Sequence, residues 1–465
     1  MSNNDTELNL TINNFSINNK LNHNFNINNL KINHIKYSSK IKHIYHFSDT
    51  HIHLYKRHDE YKEVFNNLIT YLKNEKQKLD IESNKNDNIS IICVITGDIL
   101  HSKSDLSPEC IQLTYNLFKE VSQLMPLIII PGNHDLNMNN KNRLDSLTPI
   151  IGDLPKYYPI HYLNKSGVWK MNNVVFSHAS IFDYNIIDPT IIDNVLLKEE
   201  EENNVKKDEI KDSKNDDSKD SKKKNKKDKK KYKKIILYHG RVNGAVLFNG
   251  TTIAGESNKK TKTTITSSNF EGYDMGLLGD IHKHQWLNKN QNIGYAGSLI
   301  QQNNGETLKF HGLIKWNVSK CKGEFVEIPN NYGYYTLYMK DNKNSYLIKQ
   351  DDGTFKCARK LPFNLRIRIL YKNTTEVQVR NYIALLRDYH NIIEYSYQND
   401  ETNVFLEEVI ENGDNSDENG VKKEDDVNTN NADNAGNTDN ANNTNDGNTK
   451  SKNKKRIHKK ELNIT

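Results

Sequence analysis

The chain has 465 residues, of which 35% are hydrophobic and 27% charged, with a formal net charge of +6. This excludes a fold over the whole length: an Asn-rich start (residues 1–40), a Lys/Asp/Glu run (198–234) and an Asn/Asp-rich tail (405–465) lack the apolar residues to bury a core and read as disordered. Roughly 330 residues remain, enough for one substantial α/β domain over 41–325 and a smaller one over 326–404.

The charge excess is local. Residues 198–234 hold 16 Lys against 11 Asp and Glu, which marks a solvated spacer within the larger domain. Cys93, Cys110, Cys321 and Cys357 form no C-x-x-C pair and read as thiols of a reducing compartment. With neither a charged-then-apolar leader nor a run of about 18 apolar residues, the expectation is an intracellular protein without a membrane partner.

In chain order, "KIKHIYHFSDTHIHL" starts as an alternating strand and ends in a polar cluster at Asp49, His51 and His53. A helix over about 59–78 follows, then "ISIICVITGDILHS", a continuous β-branched run of the kind that is buried on both faces. A second helix over about 107–123 leads to "MPLIIIPGNHDL". Alternation of strand and helix predicts a mostly parallel sheet with crossover helices. "NNVVFSHAS", "KKIILYHG" and "YDMGLLGDIH" add strands that end at His178, His239 and Asp280 to His282. Beyond about 333, "LPFNLRIRILY", a helix over about 375–389 and "NIIEYSY" form a β-α-β unit. That helix opens with a Thr375-x-x-Gln378 capping box and carries an apolar stripe of Val379, Tyr382, Ile383 and Leu386.

Each principal strand thus ends in His, Asp or Asn, and the carboxyl ends of strands are where open α/β sheets bind ligands. A two-metal hydrolytic site needs oxygen and imidazole ligands from separate strand ends and one carboxylate able to bridge both ions. Asp49 and His51, Gly97-Asp98, and Asn133-His134 supply such groups in order. Each motif is weak alone, but their joint placement at strand ends is specific.

The order D-x-H, G-D-x-x-H, G-N-H-D, H-G and G-x-x-H resembles the calcineurin-like metallophosphoesterases. Among them it is most similar to the SbcD group of double-strand-break repair nucleases. The fold this implies is an α/β metallophosphoesterase sandwich with a small β-α-β capping domain. The resemblance implies that Asp49 and His51 hold one metal, Asp98 bridges two, and Asn133 and His239 bind the second. It makes His134 the general acid or a substrate-orienting base, Asp135 the group steering its ring, and His101 a contact to the scissile phosphate. Phosphoprotein phosphatases carry Asp-Arg-Gly after the bridging aspartate and usually G-N-H-E, and neither occurs here.

Relatives commonly read G-H-x-H-K-P-Q where this chain reads "GDIHKHQ". In that register Asp280 binds the second metal and His282 the first, leaving His284 outside; the other register pairs His282 with His284. The family's usual glycine after D-x-H-x is His53 here. His178 lacks the L-x-H-G context and is expected to be structural, while His43 and His46 read as ordinary polar residues. The resemblance implies two divalent ions, Mn²⁺ by preference, and a DNA exonuclease and endonuclease of repair or recombination. Other readings are a phosphoesterase for nucleotides or small phosphodiesters and a catalytically dead binding module. Arg366 and Arg368 in "LRIRIL" are either phosphate contacts or a solvated sheet face. An SMC-like ATPase partner would dock through helices after the capping domain, where the sequence instead becomes Asn-rich.

Overall fold

A computed structural model describes residues 30–82, 89–140, 142–212, 232–257, 263–400 and 458–461. Two compact units divide at Tyr334/Tyr335. No described helix is long and apolar enough to cross a membrane.

The first unit runs β1 (Ile32–His34), β2 (Lys40–Phe47), α1 (His58–Glu82), β3 (Ile89–Thr96), α2 (Pro108–Leu124), β4 (Leu127–Ile130), two short helices α3 (Leu147–Ile151) and α4 (Leu154–Tyr157), then β5 (Ile160–Tyr162), β6 (Gly167–Met171) and β7 (Val174–Ala179). It continues with α5 (Pro189–Asp212), β8 (Lys233–His239), β9 (Met275–Gly279), β10 (Gln285–Trp286), β11 (Ile293–Tyr295), β12 (Gly312–Asn317) and β13 (Lys322–Glu327). These strands form two sheets, ordered β1-β6-β7-β8-β9-β11-β10 and β13-β12-β2-β3-β4-β5. Pairing is parallel through β2, β3, β4 and β5 and through β7, β8, β9 and β11. The parallel strands are thus divided between two sheets, the sandwich that the resemblance implies.

The side-chain period of two explains the layers. In β3, Ile92 and Val94 join Ile44, Ile128 and Ile130 in a core shared with Phe176, Ile235, Leu237 and Leu277 of the other sheet. Ile91, Cys93 and Ile95 face the opposite way, against Val64, Leu68 and Leu72 of α1 and Leu117, Phe118 and Val121 of α2. On the far side, Val175, Ile236 and Tyr238 pack against Ile187, Ile192 and Leu196. Burial on both faces is why these strands read as continuous apolar runs. Each such side chain contributes about 1.5–3 kcal/mol.

The expected boundaries shift in four places. β1 lies inside the stretch 1–40 expected to be disordered: it pairs with β6 and buries Leu30 and Ile32. α5 extends to Asp212, into the expected spacer, because Ile192 and Leu196 anchor its start and Lys and Glu are good helix formers. The rest of that run, 213–231, lies outside the described residues. The first unit continues past 325, because Ile328 joins its core and the Gln301 side-chain amide exchanges hydrogen bonds with the Tyr334 backbone at 2.7 and 3.0 Å. Most of the tail is likewise outside the described residues, but a strand over His458–Glu461 falls within it.

The second unit holds most of β14 (Tyr332–Lys340), then β15 (Lys343–Asn344), β16 (Leu347–Lys349), β17 (Phe355–Cys357), β18 (Asn364–Lys372), α6 (Glu376–Leu386), β19 (Asn391–Asn399) and β20 (His458–Glu461). β18 and β19 pair in parallel around α6, as the β-α-β reading predicts. The Thr375/Gln378 capping box is formed, and Val379, Tyr382, Ile383 and Leu386 are its buried stripe. Arg366 is buried, 6% exposed, so a solvated face does not describe it.

Candidate metal centre

The loops that follow β2, β3 and β4 in one sheet and β8 and β9 in the other meet at one place, which brings Asp49, His51, Asp98, Asn133, His239, Asp280 and His282 together. Backbone conformation aims them: Asp49, His51, Asp98 and Asp280 have φ of 54, 45, 51 and 97°. These are left-handed values that cost a non-glycine residue on the order of 1–3 kcal/mol each. Glycines make room. Gly97 sits at φ 90°, where a Cβ would lie 2.6 Å from Gly132 N and from His239 Nδ1, and a Cβ on Gly132 would collide with the Asp98 carboxylate.

Hydrogen bonds across the sandwich choose the ring nitrogens. His239 Nδ1 donates to the Thr96 carbonyl at 2.6 Å, which turns Nε2 toward Asp98 Oδ1 at 3.3 Å and Asp280 Oδ1 at 3.8 Å. His282 Nδ1 donates to Glu306 Oε1 at 2.8 Å, leaving its Nε2 3.0 Å from His51 Nε2. His51 Nε2 lies 3.8 Å from Asp49 Oδ1 and 3.6 Å from Asp98 Oδ2. Asp98 therefore turns one oxygen to His51 and the other to His239.

Two sets of ligand atoms, each within 4.8 Å of one another, share Asp49: Asp49, His51 and His282, and Asp49, Asp98 and His239. Burial pushes the Asp49 carboxyl up to about 7, against the pull of His239 and His282. For Asp98 burial works upward too, but His239 and His51 outweigh it and hold the carboxyl below the usual carboxylate range. Among the described residues Asn133 Oδ1 is buried with no hydrogen-bond partner, and the buried His239 Nε2 faces only carboxylate oxygens at 3.3 and 3.8 Å. Buried polar atoms left so are costly. Oxygen and imidazole donors of this kind, in the groups Asp49, His51 and His282 and Asp49, Asp98 and His239, fit divalent cations.

Within "GDIHKHQ", His282 belongs to one ligand set and Asp280 Oδ1 lies 3.8 Å from His239 Nε2. His284 turns away: its Nδ1 bonds to the Tyr295 carbonyl at 2.9 Å and its ring stacks on Phe325 at 4.3 Å. His178 is fully buried, with Nδ1 on the Lys165 carbonyl at 3.0 Å, and belongs to neither ligand set. His46 is not an ordinary polar residue. It is fully buried, and its Nε2 is 2.8 Å from Thr96 Oγ1.

At the rim, His134 is half-buried and His101 exposed, and their nitrogens lie within 4.8 Å of each other and of a nitrogen of His51. Asp135 does not steer the His134 ring. That ring is held by the His101 carbonyl, 2.8 Å from Nδ1, while the Asp135 carboxylate accepts from the backbone N–H groups of Ile99, Leu100 and Gly132 at 2.9–3.0 Å. Asp135 thus ties the β3 loop to the β4 loop. Two further residues were missed by sequence reasoning. Glu306, 24 residues further along the chain, orients His282, and no local pattern in the sequence links the two. His53, standing where the family has glycine, stacks on His101 with ring centroids 3.9 Å apart and planes 26° from parallel. That departure was visible in the sequence, but the contact it makes was not.

The chain matches the calcineurin-like phosphoesterase family over residues 42–284, a span that contains every one of the expected site residues. It is similar to an uncharacterized protein of Acanthamoeba polyphaga mimivirus, at 36% identity over 336 residues, which is 72% of this chain and 21% of that relative. The chain spans about a fifth of that relative's length. A match over just over half of the chain, falling on the strands and loops that assemble this His/Asp cluster, shows that the chain belongs to the calcineurin-like phosphoesterase family, whose chemistry is metal-dependent hydrolysis of phosphoesters.

Proposed function

We propose that the chain is a two-metal phosphodiesterase that cleaves DNA, with Mn²⁺ in both sites. The observation that carries this reading is the Asp98 carboxylate, whose oxygens lie 3.6 Å from His51 Nε2 and 3.3 Å from His239 Nε2. One carboxylate is thus offered to two ligand groups, as a bridging ligand requires. A carboxylate rather than an imidazole at Asp280 favours a hard ion of the Mn²⁺ kind. Bound there, two such ions supply charge neutralisation for an in-line displacement at phosphorus.

The chain's own residues do the remainder. Asp49, His51, Asp98, Asn133, His239, Asp280 and His282 would hold the cations, which would fix the place of the phosphate. His134, its Nδ1 engaged by the His101 carbonyl, keeps Nε2 to carry the proton that the departing oxygen needs. His101, exposed at the rim, contacts a phosphate oxygen.

The test is digestion of defined linear and hairpin DNA by the isolated chain with and without Mn²⁺. Hydrolysis of bis(p-nitrophenyl) phosphate without digestion of any DNA would replace this reading by one for small phosphodiesters. His134→Ala should abolish cleavage with two ions still bound by elemental analysis. Loss of metal in that variant would refute its role as the acid. The residues beyond 400, where helices that dock an SMC-like ATPase are expected, lie outside those described apart from 458–461.

A further inference from the structure

The loops that present His101 and His134 enclose a recess of about 310 Å³ whose walls include Lys103, Ser104, Asn137, Asn139 and Arg143. No carboxylate lines it, and neither Lys103 nor Arg143 has an ion-pair partner among the described residues. Its position is fixed. Lys103 stands two residues beyond His101, and Ser146 joins the two loops by donating its hydroxyl to the Lys103 carbonyl and its N–H to the Asp135 carbonyl at 2.9 Å. Arg143 and Leu144 form the ridge to an adjoining recess of about 620 Å³ walled by Leu136 and Phe182. The two carboxylates of that second recess are already engaged. Asp145 accepts from the backbone of Leu147 and Thr148, and Asp183 from the Ser166 hydroxyl.

Two cations without an ion-pair partner among the described residues, set among amide and hydroxyl groups, form a seat for an oxyanion. Beside it, an apolar wall with a phenyl ring forms a seat for a base. Both together match one nucleotide. We propose that this pair of recesses holds the nucleotide adjoining the scissile phosphate of a single-stranded polynucleotide, with Lys103 and Arg143 on its phosphate and Phe182 beside its base. The assignment rests on the phosphodiesterase reading above and narrows it, since a small phosphodiester has no second phosphate to place there.

Binding of a fluorescein-labelled decathymidylate to the full-length chain, followed by anisotropy in EDTA across a range of salt concentrations, tests this without cleavage. Each phosphate contact to a single strand contributes about 0.7 to the slope of log affinity against log salt. Lys103→Gln/Arg143→Gln should therefore lower the slope by roughly 1.4 and weaken binding on the order of 10-fold or more at 0.1 M salt. With Mn²⁺, the preference for the decamer over bis(p-nitrophenyl) phosphate, as a ratio of kcat/KM values, should fall by a similar factor. Phe182→Ala should weaken decamer binding with the slope intact. An unchanged slope in the double variant, or no decamer binding by the wild-type chain, overturns the proposal. Decamer bound with the expected slope but never cut would instead refute the nuclease reading while the binding site stands.

Discussion

Replacing Glu306 by Gln probes the centre without touching a ligand. The Glu306 side chain is 4% exposed and accepts from His282 Nδ1 at 2.8 Å and from the Gln302 backbone N–H at 2.8 Å. The first bond keeps the His282 proton on Nδ1, so that Nε2, 3.0 Å from His51 Nε2, is the atom that can take a cation. It also makes the imidazole more basic: burial works against protonation, yet the Glu306 bond and Asp49 carry His282 up to about 9. An amide at 306 can still accept a hydrogen bond through its oxygen but brings no charge and can present its NH₂ group instead. Loss of a carboxylate partner behind a ligating histidine costs about 10–100-fold in metal affinity, or about 1.4–2.7 kcal/mol. Mn²⁺ titration calorimetry of Glu306→Gln should show one ion weakened by that factor and the other nearly unchanged, with cleavage largely restored at saturating Mn²⁺. Affinities within two-fold of wild type for both ions would refute the reasoning.

Asp280→Ala should lose one bound ion and lower cleavage by orders of magnitude, whereas His284→Ala should keep both ions and most of the activity; metal stoichiometry in the two variants decides, and the reverse pattern would sink the register chosen above. His53→Ala removes a ring stack worth about 0.5–1.5 kcal/mol, so kcat should fall roughly two- to ten-fold as His101 loosens. His53→Phe should recover it, and equal kcat in the two variants would show that the stack has no part. Acid stability gives a further check. Burial depresses His46 to about 3, with His284 adding to the effect, and burial depresses His178 to about 4 against the pull of the Lys165 carbonyl and Asp183. Both histidines are neutral when folded and bind a proton when unfolded below about 6.5, so their contribution is complete above that pH. It is lost as pH falls toward 4, at about 1.4 kcal/mol per pH unit for each. Urea unfolding at pH 7 and pH 5 should show the loss, and His178→Asn should have the shallower dependence.

By itself the sequence determined what local chemistry determines. β3 is a run of eight residues with six buried, and such an apolar stretch has few alternatives to a doubly covered strand. The α6 capping box and stripe occur at the residues expected, because capping and a 3.6-residue period involve neighbours within one turn. The site residues could be named because polar groups gather at strand ends, and the motif order did the rest. Only the tertiary structure decided what depends on distant partners. Continuous apolar runs look alike whichever sheet they join, so the division of strands between two sheets, and the inclusion of β1, came from pairing across the chain. The surroundings of Asp280 and His284 were set in the same way: the Tyr295 carbonyl and Phe325 hold His284, while Asp280 lies 3.8 Å from His239. The Thr96 carbonyl that sets the His239 proton lies 143 residues away in sequence, and Glu306, which sets that of His282, lies 24 away. A ring nitrogen is directed by whatever hydrogen-bonding group the fold places behind it, and side-chain identity alone does not encode that neighbour.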